Sequence, residues 1–302
     1  MSRTVRIIGA PTDYGANRRG VDMGPSAIRY AGLDEQISAA GAKCSDAGDV
    51  LAPLMEERDN GSEVNARHLD AVREVNSRLS AEVAAAIEDG SIPLVLGGDH
   101  SVAIGSLAGS ARDDEIGAIW FDAHGDFNTP STSPSGNVHG MPLAAALGLD
   151  EFEDLEWANA AGLREENVAM VGLRDVDAVE AEAIRDSDVT AYTMSDIDER
   201  GLTAVVDDAL DIAAKGVDGI HVSLDLDWLD PNEAPGVGTP VRGGVTYREA
   251  HAAMELLADQ DQRYDVLRSL ELVEVNPILD ERNQTAEMAA ELAASALGKR
   301  IL

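Results

Sequence analysis

Short apolar segments alternate with longer segments of helical periodicity along the whole chain, and this alternation restricts the fold more than any other feature. Alternating strands and helices are typical of repeated βαβ units, in which helices cover both faces of a mainly parallel sheet. The pattern therefore predicts the α/β class, as a three-layer αβα sandwich with a mainly parallel, roughly eight-stranded sheet. The predicted strands are 5–10, 44–48, 92–97, 116–122, 168–173, 189–193, 219–226 and 268–275.

Helical periodicity is clearest in four segments, and four shorter helices are predicted between the strands. The clear segments are 63–89, 201–215, 246–258 and 285–298, and the shorter helices follow Pro25, His100, His139 and Ala178. Proline suits the first turn of a helix, where its missing N–H costs nothing. Because no internal repeat or low-complexity linker divides the chain, we expect a single domain spanning residues 1–302.

The charge balance is strongly acidic, with 56 Asp and Glu against 23 Lys and Arg and a formal net charge of −33. Such an excess repels polyanions, so nucleic acid and anionic membrane surfaces are excluded as partners. It also destabilises the compact state by self-repulsion unless salt screens the charges. We therefore expect a cytoplasm with molar salt, as in a halophile. The alternative is an ordinary protein with a solvated acidic surface.

Several features predict a cytoplasmic location. No apolar segment approaches the ~20 residues of a membrane span, and strand-like sequence begins almost at the first residue. The single cysteine, Cys44, excludes an internal disulfide and fits a reducing compartment.

Residues with metal-binding side chains follow three of the predicted strands, mostly at alternate positions. Side chains at alternate positions of an extended chain point the same way. Ligands of parallel sheets bind beyond the carboxyl ends of the strands, so we expect these groups to meet in one crevice. The six candidate ligands are His100, Asp122, His124, Asp126, Asp225 and Asp227.

The chemistry of these six side chains indicates the class of metal. Four carboxylates and two imidazoles without a thiolate favour a harder divalent ion such as Mn²⁺ over a structural zinc ion. Four carboxylates also neutralise two divalent cations, so the set predicts a site for two metals. For Asp225 and Asp227 taken alone, ordinary turn residues are an equal alternative.

Six motifs resemble those of the ureohydrolase family and, within it, the arginase group. They are 96–101 (LGGDHS), 122–126 (DAHGD), 135–142 (SGNVHGMP), 223–227 (SLDLD), 238–240 (GTP) and 274–277 (EVNP). The resemblance covers nearly the whole chain, from segment 18–25 to the last predicted helix.

The resemblance implies two Mn²⁺ ions per subunit. It assigns one ion to the following four residues: His100, Asp122, Asp126 and Asp225. It assigns the other to a second four: Asp122, His124, Asp225 and Asp227. Asp122 and Asp225 would then bridge the two ions. The implied reaction is hydrolysis of the guanidinium group of L-arginine to L-ornithine and urea, by attack of a hydroxide that bridges the metals.

The resemblance also implies catalytic roles for three residues. Asp126 would orient the hydroxide, Glu274 would bind the guanidinium group, and His139 would carry a proton to the departing amine. Thr239 resembles a residue that lines the guanidine pocket, but it is equally a candidate turn hydroxyl.

The substrate tail is the second part of the implied site. In arginases a loop that matches Asn128, Ser135 and Asn137 grips the α-carboxylate through neutral donors, and an acid that matches Asp177 binds the α-amino group. Glu180 lies one turn further and is placed to support the amino group, while Asp177 is also a candidate helix N-cap. Donors built for a carboxylate stay unpaired when agmatine binds, so the resemblance implies L-arginine as the substrate.

Two features leave alternatives open. Arginases usually carry glycine where this chain has Trp228, whose indole either narrows the pocket or packs beneath the loop. The Ser-, Thr- and Pro-rich loop 128–136 either covers the site or is a flexible connection.

Three other functions also remain open. They are another ureohydrolase activity such as agmatinase or guanidinobutyrase, a metal-bound regulatory homologue without catalysis, and a deacetylase-type amidohydrolase with one zinc ion. The resemblance further implies a homo-oligomer, either a trimer or a hexamer.

Overall fold

The described residues, 4–53 and 64–300, form one eight-stranded sheet in the computed structural model, and every strand pair in it is parallel. The strands are β1 Thr4–Ala10, β2 Lys43–Asp49, β3 Ile92–Gly97, β4 Ile116–Phe121, β5 Leu163–Leu173, β6 Thr190–Thr193, β7 Gly219–Asp225 and β8 Leu267–Val273. Their order across the sheet is β2-β1-β3-β8-β7-β4-β5-β6. The predicted fold class is confirmed.

Ten α-helices are found among the described residues. They are α1 Gly24–Tyr30, α2 Leu33–Ala39, α3 Leu69–Glu88, α4 Ala103–Ser110, α5 Pro142–Ala146, α6 Ala178–Asp186, α7 Met194–Arg200, α8 Leu202–Ala213, α9 Tyr247–Tyr264 and α10 Gln284–Ala296. The predicted start of α3 at residue 63 lies outside the described residues, and the helix begins at Leu69. No described helix is long and apolar enough to cross a membrane.

The central strands β3, β4, β7 and β8 are buried on both faces, which explains their mostly apolar sequence, whereas β2 at one edge of the sheet is polar and largely exposed. Along β4, Ile119 and Phe121 pack in a core shared with α8, α9 and α10. Ala118 and Trp120 alternate with them and pack on the opposite face, in a core shared with α4, α5 and α6.

The strand order places the candidate site at the centre of the sheet. Strands β3, β8, β7 and β4 are neighbours, and each one ends in a loop that carries residues of the quoted motifs. Because the strands are parallel, these four loops emerge at the same edge and adjoin one another.

Candidate metal centre and substrate cleft

The first group of possible ligands surrounds His100, which begins a short 3-10 turn after β3. Its Nδ1 lies 3.1 Å from Asp122 Oδ2 and 2.9 Å from Asp126 Oδ2. The same nitrogen lies 3.1 Å from Asp225 Oδ2, at the end of β7. One imidazole nitrogen therefore faces three carboxylate oxygens that come from two other strand ends.

The second group surrounds His124. Its Nδ1 lies 3.1 Å from Asp227 Oδ2 and 3.4 Å from Asp122 Oδ1. Asp122 therefore turns one oxygen toward each group, which is the arrangement of a bridging ligand. Asp225 Oδ1 instead accepts a hydrogen bond from the backbone N–H of Asp227, at 2.7 Å.

The path of the chain through segment 122–126 differs from the sequence expectation. Strand β4 ends at Phe121, and Asp126 has a φ of +50°, in the left-handed region. An extended chain therefore does not bring Asp122, His124 and Asp126 together. A turn does so, and its strain is of the kind found at functional sites.

The donor set fits divalent cations. Asp122, Asp225 and Asp227 are at most 2% exposed, and Asp126 is 6% exposed. Burying so many carboxylates is costly unless opposite charge compensates them. The buried Nδ1 of His100 makes no hydrogen bond of acceptable geometry among the described residues, although three carboxylate oxygens lie near it. Oxygen and imidazole donors at this spacing suit a metal ion of the Mn²⁺ class.

The pKa values of the cluster reflect the same crowding. Burial and then the charges of Asp227 and Asp122 raise the pKa of Asp225 well above its usual value. Burial and the charge of Asp122 also raise the pKa of Asp126 to about 6. Burial lowers the pKa of His100, but the charge of Asp126 and the other carboxylates raise it by more. A bound cation would relieve this repulsion among the acids.

Neighbouring side chains hold the first group in place. The Nε2 of His100 lies 2.8 Å from Ser223 Oγ, and the imidazole stacks on Trp120 with ring centroids 4.3 Å apart. Trp120 Nε1 donates to Asp122 Oδ2 at 3.1 Å. Such contacts fix the orientation of metal-binding side chains.

The half-buried side chain of Arg174 holds the loop after β7. The guanidinium of Arg174 donates to the carbonyls of Asp227, Trp228, Leu229 and Val241, at 2.6 to 3.3 Å. These hydrogen bonds connect the end of β5 to the loop that carries Asp227.

Glu274 and His139 form a hydrogen-bonded pair beside the first group. Glu274 Oε1 lies 3.1 Å from His139 Nδ1 and accepts from the backbone N–H of His100 at 2.9 Å. Burial lowers the pKa of His139, but the hydrogen bond with Glu274 and its charge raise that pKa to about 9. A Cβ at Gly238 would lie 3.2 Å from Glu274 Oε2, so the glycine leaves room beside this oxygen.

A cleft opens above the two groups. The described residues that line it include Asn128, Ser135, Asn137, Asp177, Glu180 and Thr239, together with His139 and four of the six possible metal ligands. Ser133, Pro134 and Ser135 line it as well, so loop 128–136 does lie against the site. Glu274 is 2% exposed and lies behind His139.

Hydrogen bonds connect the cleft residues to their surroundings. Asp177 Oδ1 accepts from the N–H groups of Val179 and Glu180, so Asp177 is the N-cap of α6. Its Oδ2 accepts from Asn128 Nδ2 at 2.9 Å. Thr239 Oγ1 donates to Asp227 Oδ2 at 2.9 Å, so this hydroxyl contacts a possible metal ligand while it lines the cleft.

Glu180 contacts the loop after β4, which carries Asp126. Its Oε1 accepts from the backbone N–H of Phe127 at 2.9 Å, and burial raises the pKa of this carboxyl to about 7. One oxygen of Glu180 therefore supports the segment that follows Asp126.

Trp228 packs beneath the loop and is absent from the described lining of the cleft. Its indole is fully buried and lies 4.7 Å from the ring of Phe121. Gly172, with a φ of +102°, makes room for it, because a Cβ there would lie 2.2 Å from the indole nitrogen.

The sequence expectations missed several residues at the site. Asp175 and Ser133 line the cleft, and Arg67 contacts Asn137 from outside it. Asp175 lies two residues before the predicted Asp177, so its nearness in sequence to a predicted site residue was an available signal. Arg67 carries no local signal, because only the folded chain brings it to the loop.

An all-parallel sheet whose central strands end in two adjacent groups of carboxylates and imidazoles is typical of metal-dependent α/β hydrolases. The family model described as the Arginase family matches residues 3–298. The chain therefore belongs to the arginase family.

Individual relatives agree over the full length. Arginase of Bacillus subtilis (strain 168) is 50% identical over 305 residues, which cover 100% of both chains. The native structure of arginase from Bacillus caldovelox has a TM-score of 0.93 at 46% identity and covers 99% of this chain and 100% of that one. Entamoeba histolytica arginase in complex with L-ornithine has a TM-score of 0.87 at 30% identity, with 99% and 100% covered.

Proposed function

We propose that the protein is a hydrolase with two Mn²⁺ ions per subunit that cleaves L-arginine to L-ornithine and urea. The observation that carries the proposal is the pair of donor groups that share Asp122 at the bottom of an acid-lined cleft. The full-length relatives named arginase support the reaction, and the structural relative described with L-ornithine supports a cleft of this fold that holds the amino-acid product.

The ions would be held by the six residues of the two groups. One ion would be held by His100, Asp122, Asp126 and Asp225, and the other by Asp122, His124, Asp225 and Asp227. The contacts of Asp122 with both imidazoles support its bridging role, and Asp126 and Asp225 both contact His100. Two divalent ions held there would lower the pKa of water enough to supply a nucleophile near neutral pH, which the weakly electrophilic guanidinium carbon requires.

The remaining residues bind and orient the substrate. The acids of the cleft attract the cationic guanidinium. Glu274 would bind it through Oε2, on the side where Gly238 leaves room, once the substrate reaches past His139. At the outer end, Asn128, Ser135 and Asn137 donate to the α-carboxylate. Asp177 and Glu180 bind the α-amino group.

His139 completes the proposed reaction. Its pKa of about 9 keeps the imidazole protonated at neutral pH, because Glu274 stabilises the charged form. A protonated His139 on the wall of the cleft can give its proton to the amine that departs as ornithine forms. Asp126, which contacts His100 and lines the cleft, orients the nucleophile.

Urea release from L-arginine and from agmatine, measured side by side on Mn²⁺-loaded protein, tests the proposal. We expect a much higher kcat/KM for L-arginine, because its carboxylate pairs the donors of loop 128–137. A higher kcat/KM for agmatine would keep the chemistry and refute the assigned substrate. No urea from either compound would refute the hydrolase.

We also propose that the protein works in molar salt, in the cytoplasm of a halophile. Support comes from the net charge of −33, whose self-repulsion is screened within a few ångströms at such ionic strength. Chemical unfolding at increasing KCl tests this proposal. We expect the free energy of unfolding to rise with KCl, and a value that is highest at low salt would contradict it.

A single domain and a homo-oligomer complete the proposal. The single domain is supported by the position of β8, which comes late in the chain and lies between β3 and β7. The oligomer, a trimer or hexamer, is supported by the family resemblance. Sedimentation equilibrium in KCl tests it, and a monomer would contradict it.

A further inference from the structure

The charged side chains in the described lining of the cleft are mainly acidic. Its described lining contains the five acids Asp126, Asp175, Asp177, Glu180 and Asp225, and none of the described lining residues is Lys or Arg. This lining favours the guanidinium end of a substrate. Asp126 and Asp225 are proposed metal ligands, but Asp175, Asp177 and Glu180 still repel an α-carboxylate, so its binding depends on how the neutral donors of loop 128–137 are oriented.

A segment just before α3 braces the loop that receives the proposed carboxylate. Asn65 Nδ2 donates to the carbonyls of Pro130 and Ser133, at 3.1 and 2.9 Å. The backbone N–H of Arg67 donates to the carbonyl of Gly136 at 2.8 Å. Gly136 has a φ of +71°, and a Cβ there would lie 2.5 Å from Asn65 Oδ1, so the contact between the two segments is close.

Arg67 extends this contact to a cleft residue. Its Nη1 donates to Asn137 Oδ1 at 3.4 Å, and Asn137 is 4% exposed and lines the cleft. An amide has one oxygen that accepts and one NH₂ group that donates. With the oxygen turned to Arg67, the NH₂ group of Asn137 remains available to donate to an anion in the cleft.

We infer that Arg67 determines specificity for substrates that carry an α-carboxylate. It acts as a positioning residue through the Asn137 amide, and its exposed guanidinium adds positive charge at the rim where the lining is acidic. The inference rests on the proposed function, because it assigns the carboxylate end of the substrate to loop 128–137.

Three substrates separate this role from a general structural one. L-arginine carries both tail groups, agmatine carries only the amine, and 5-guanidinopentanoate carries only the carboxylate. For Arg67→Met we expect kcat/KM to fall roughly 3- to 10-fold for the two carboxylates, the range of a partly exposed charged contact. The loss should lie in KM, with kcat unchanged. We expect kcat/KM for agmatine to stay the same or rise.

Two further variants serve as controls. Arg67→Lys keeps the charge and should restore part of the loss. Arg73→Met removes an exposed arginine of α3, whose guanidinium lies 3.4 Å from Asp70 and which is not part of the cleft lining, so it should leave all three values unchanged.

The outcomes distinguish this inference from the proposed function. An equal loss on all three substrates, or no loss on the carboxylates, would overturn the role of Arg67 and leave the hydrolase intact. A wild-type protein that prefers agmatine would refute the assigned substrate, while a selective loss on carboxylates in Arg67→Met would still support the inference. A wild-type protein that cleaves none of the three would overturn both.

Discussion

Replacing Asp177 with Asn separates two roles of one side chain. Asp177 caps α6 through Oδ1, which lies 2.9 Å from Val179 N and 3.0 Å from Glu180 N, and it lines the cleft. Burial raises its pKa, but the hydrogen bonds from Glu180 N–H, Asn128 and Val179 N–H lower it by more, so the side chain is an anion at neutral pH. Asn keeps an oxygen for the cap, removes the charge and replaces Oδ2 with an NH₂ group, which cannot accept the hydrogen bond from Asn128.

The expected effect on stability is small. Asn and Asp are about equally good N-caps, so Asp177→Asn should lower the free energy of unfolding by at most about 1 kcal/mol, through the lost hydrogen bond with Asn128. Asp177→Ala also removes the cap and should cost about 2 kcal/mol, which lowers Tm by roughly 4 °C in a domain of this size.

The expected effect on catalysis is larger and depends on the substrate. A charge-assisted hydrogen bond at a half-buried position contributes roughly 1–2 kcal/mol after solvent screening, which corresponds to a factor of about 5 to 30 in kcat/KM. This loss should appear with L-arginine and agmatine, which both carry the amine. It should be absent with 5-guanidinopentanoate.

Steady-state urea release with the three substrates measures this pattern, and thermal unfolding reports the cap. A similar loss on 5-guanidinopentanoate would refute the assignment of Asp177 to the amino group. A large drop in Tm for Asp177→Asn would refute the separation of the two roles.

Two other variants test the site and its support, and a third, Gly216→Ala, serves as a control. Asp126→Asn should lower kcat at least ~100-fold and reduce bound manganese, because a buried carboxylate that faces His100 is lost. Urea release measures kcat, and atomic absorption measures the metal content. Activity near that of the wild type would contradict the mechanism. Gly172→Ala should cost roughly 2–4 kcal/mol of unfolding free energy, because its Cβ meets the Trp228 indole at a positive φ. Gly216→Ala, with a φ of +72° and no atom within 4 Å of its Cβ, should cost only about 1 kcal/mol of unfolding free energy. Denaturant unfolding measures both losses. Equal losses for Gly172→Ala and Gly216→Ala would show that the Trp228 indole is not tightly packed.

The sheet could be predicted because most of its strands are buried on both faces and are therefore apolar throughout. Two strands depart from this pattern. Strand β2 is polar and largely exposed, and β5 begins with the polar residues 164–166, so only its apolar part was predicted. Helix α7 was missed although Thr193 and Asp196 form a capping box that was visible in the sequence. Helix α2 is seven residues long with two buried side chains, Leu33 and Ile37, so its periodic signal is weak.

The candidate site could be predicted only in part. The meeting of the strand ends follows from a parallel sheet, whichever order the strands take. The insertion of β8 between β3 and β7, which places Glu274 beside His100, depends on tertiary packing and has no local signal. The same holds for the contact of Arg67 with Asn137, which joins positions 70 residues apart.

A titration of the metal-free protein with Mn²⁺, followed by calorimetry and by urea release from L-arginine, tests the two-metal claim most directly. The proposed site predicts saturation at two ions per chain, with urea release that appears as the sites fill and disappears on chelation. Full activity at one ion per chain, or urea release that survives removal of the metal, would contradict it.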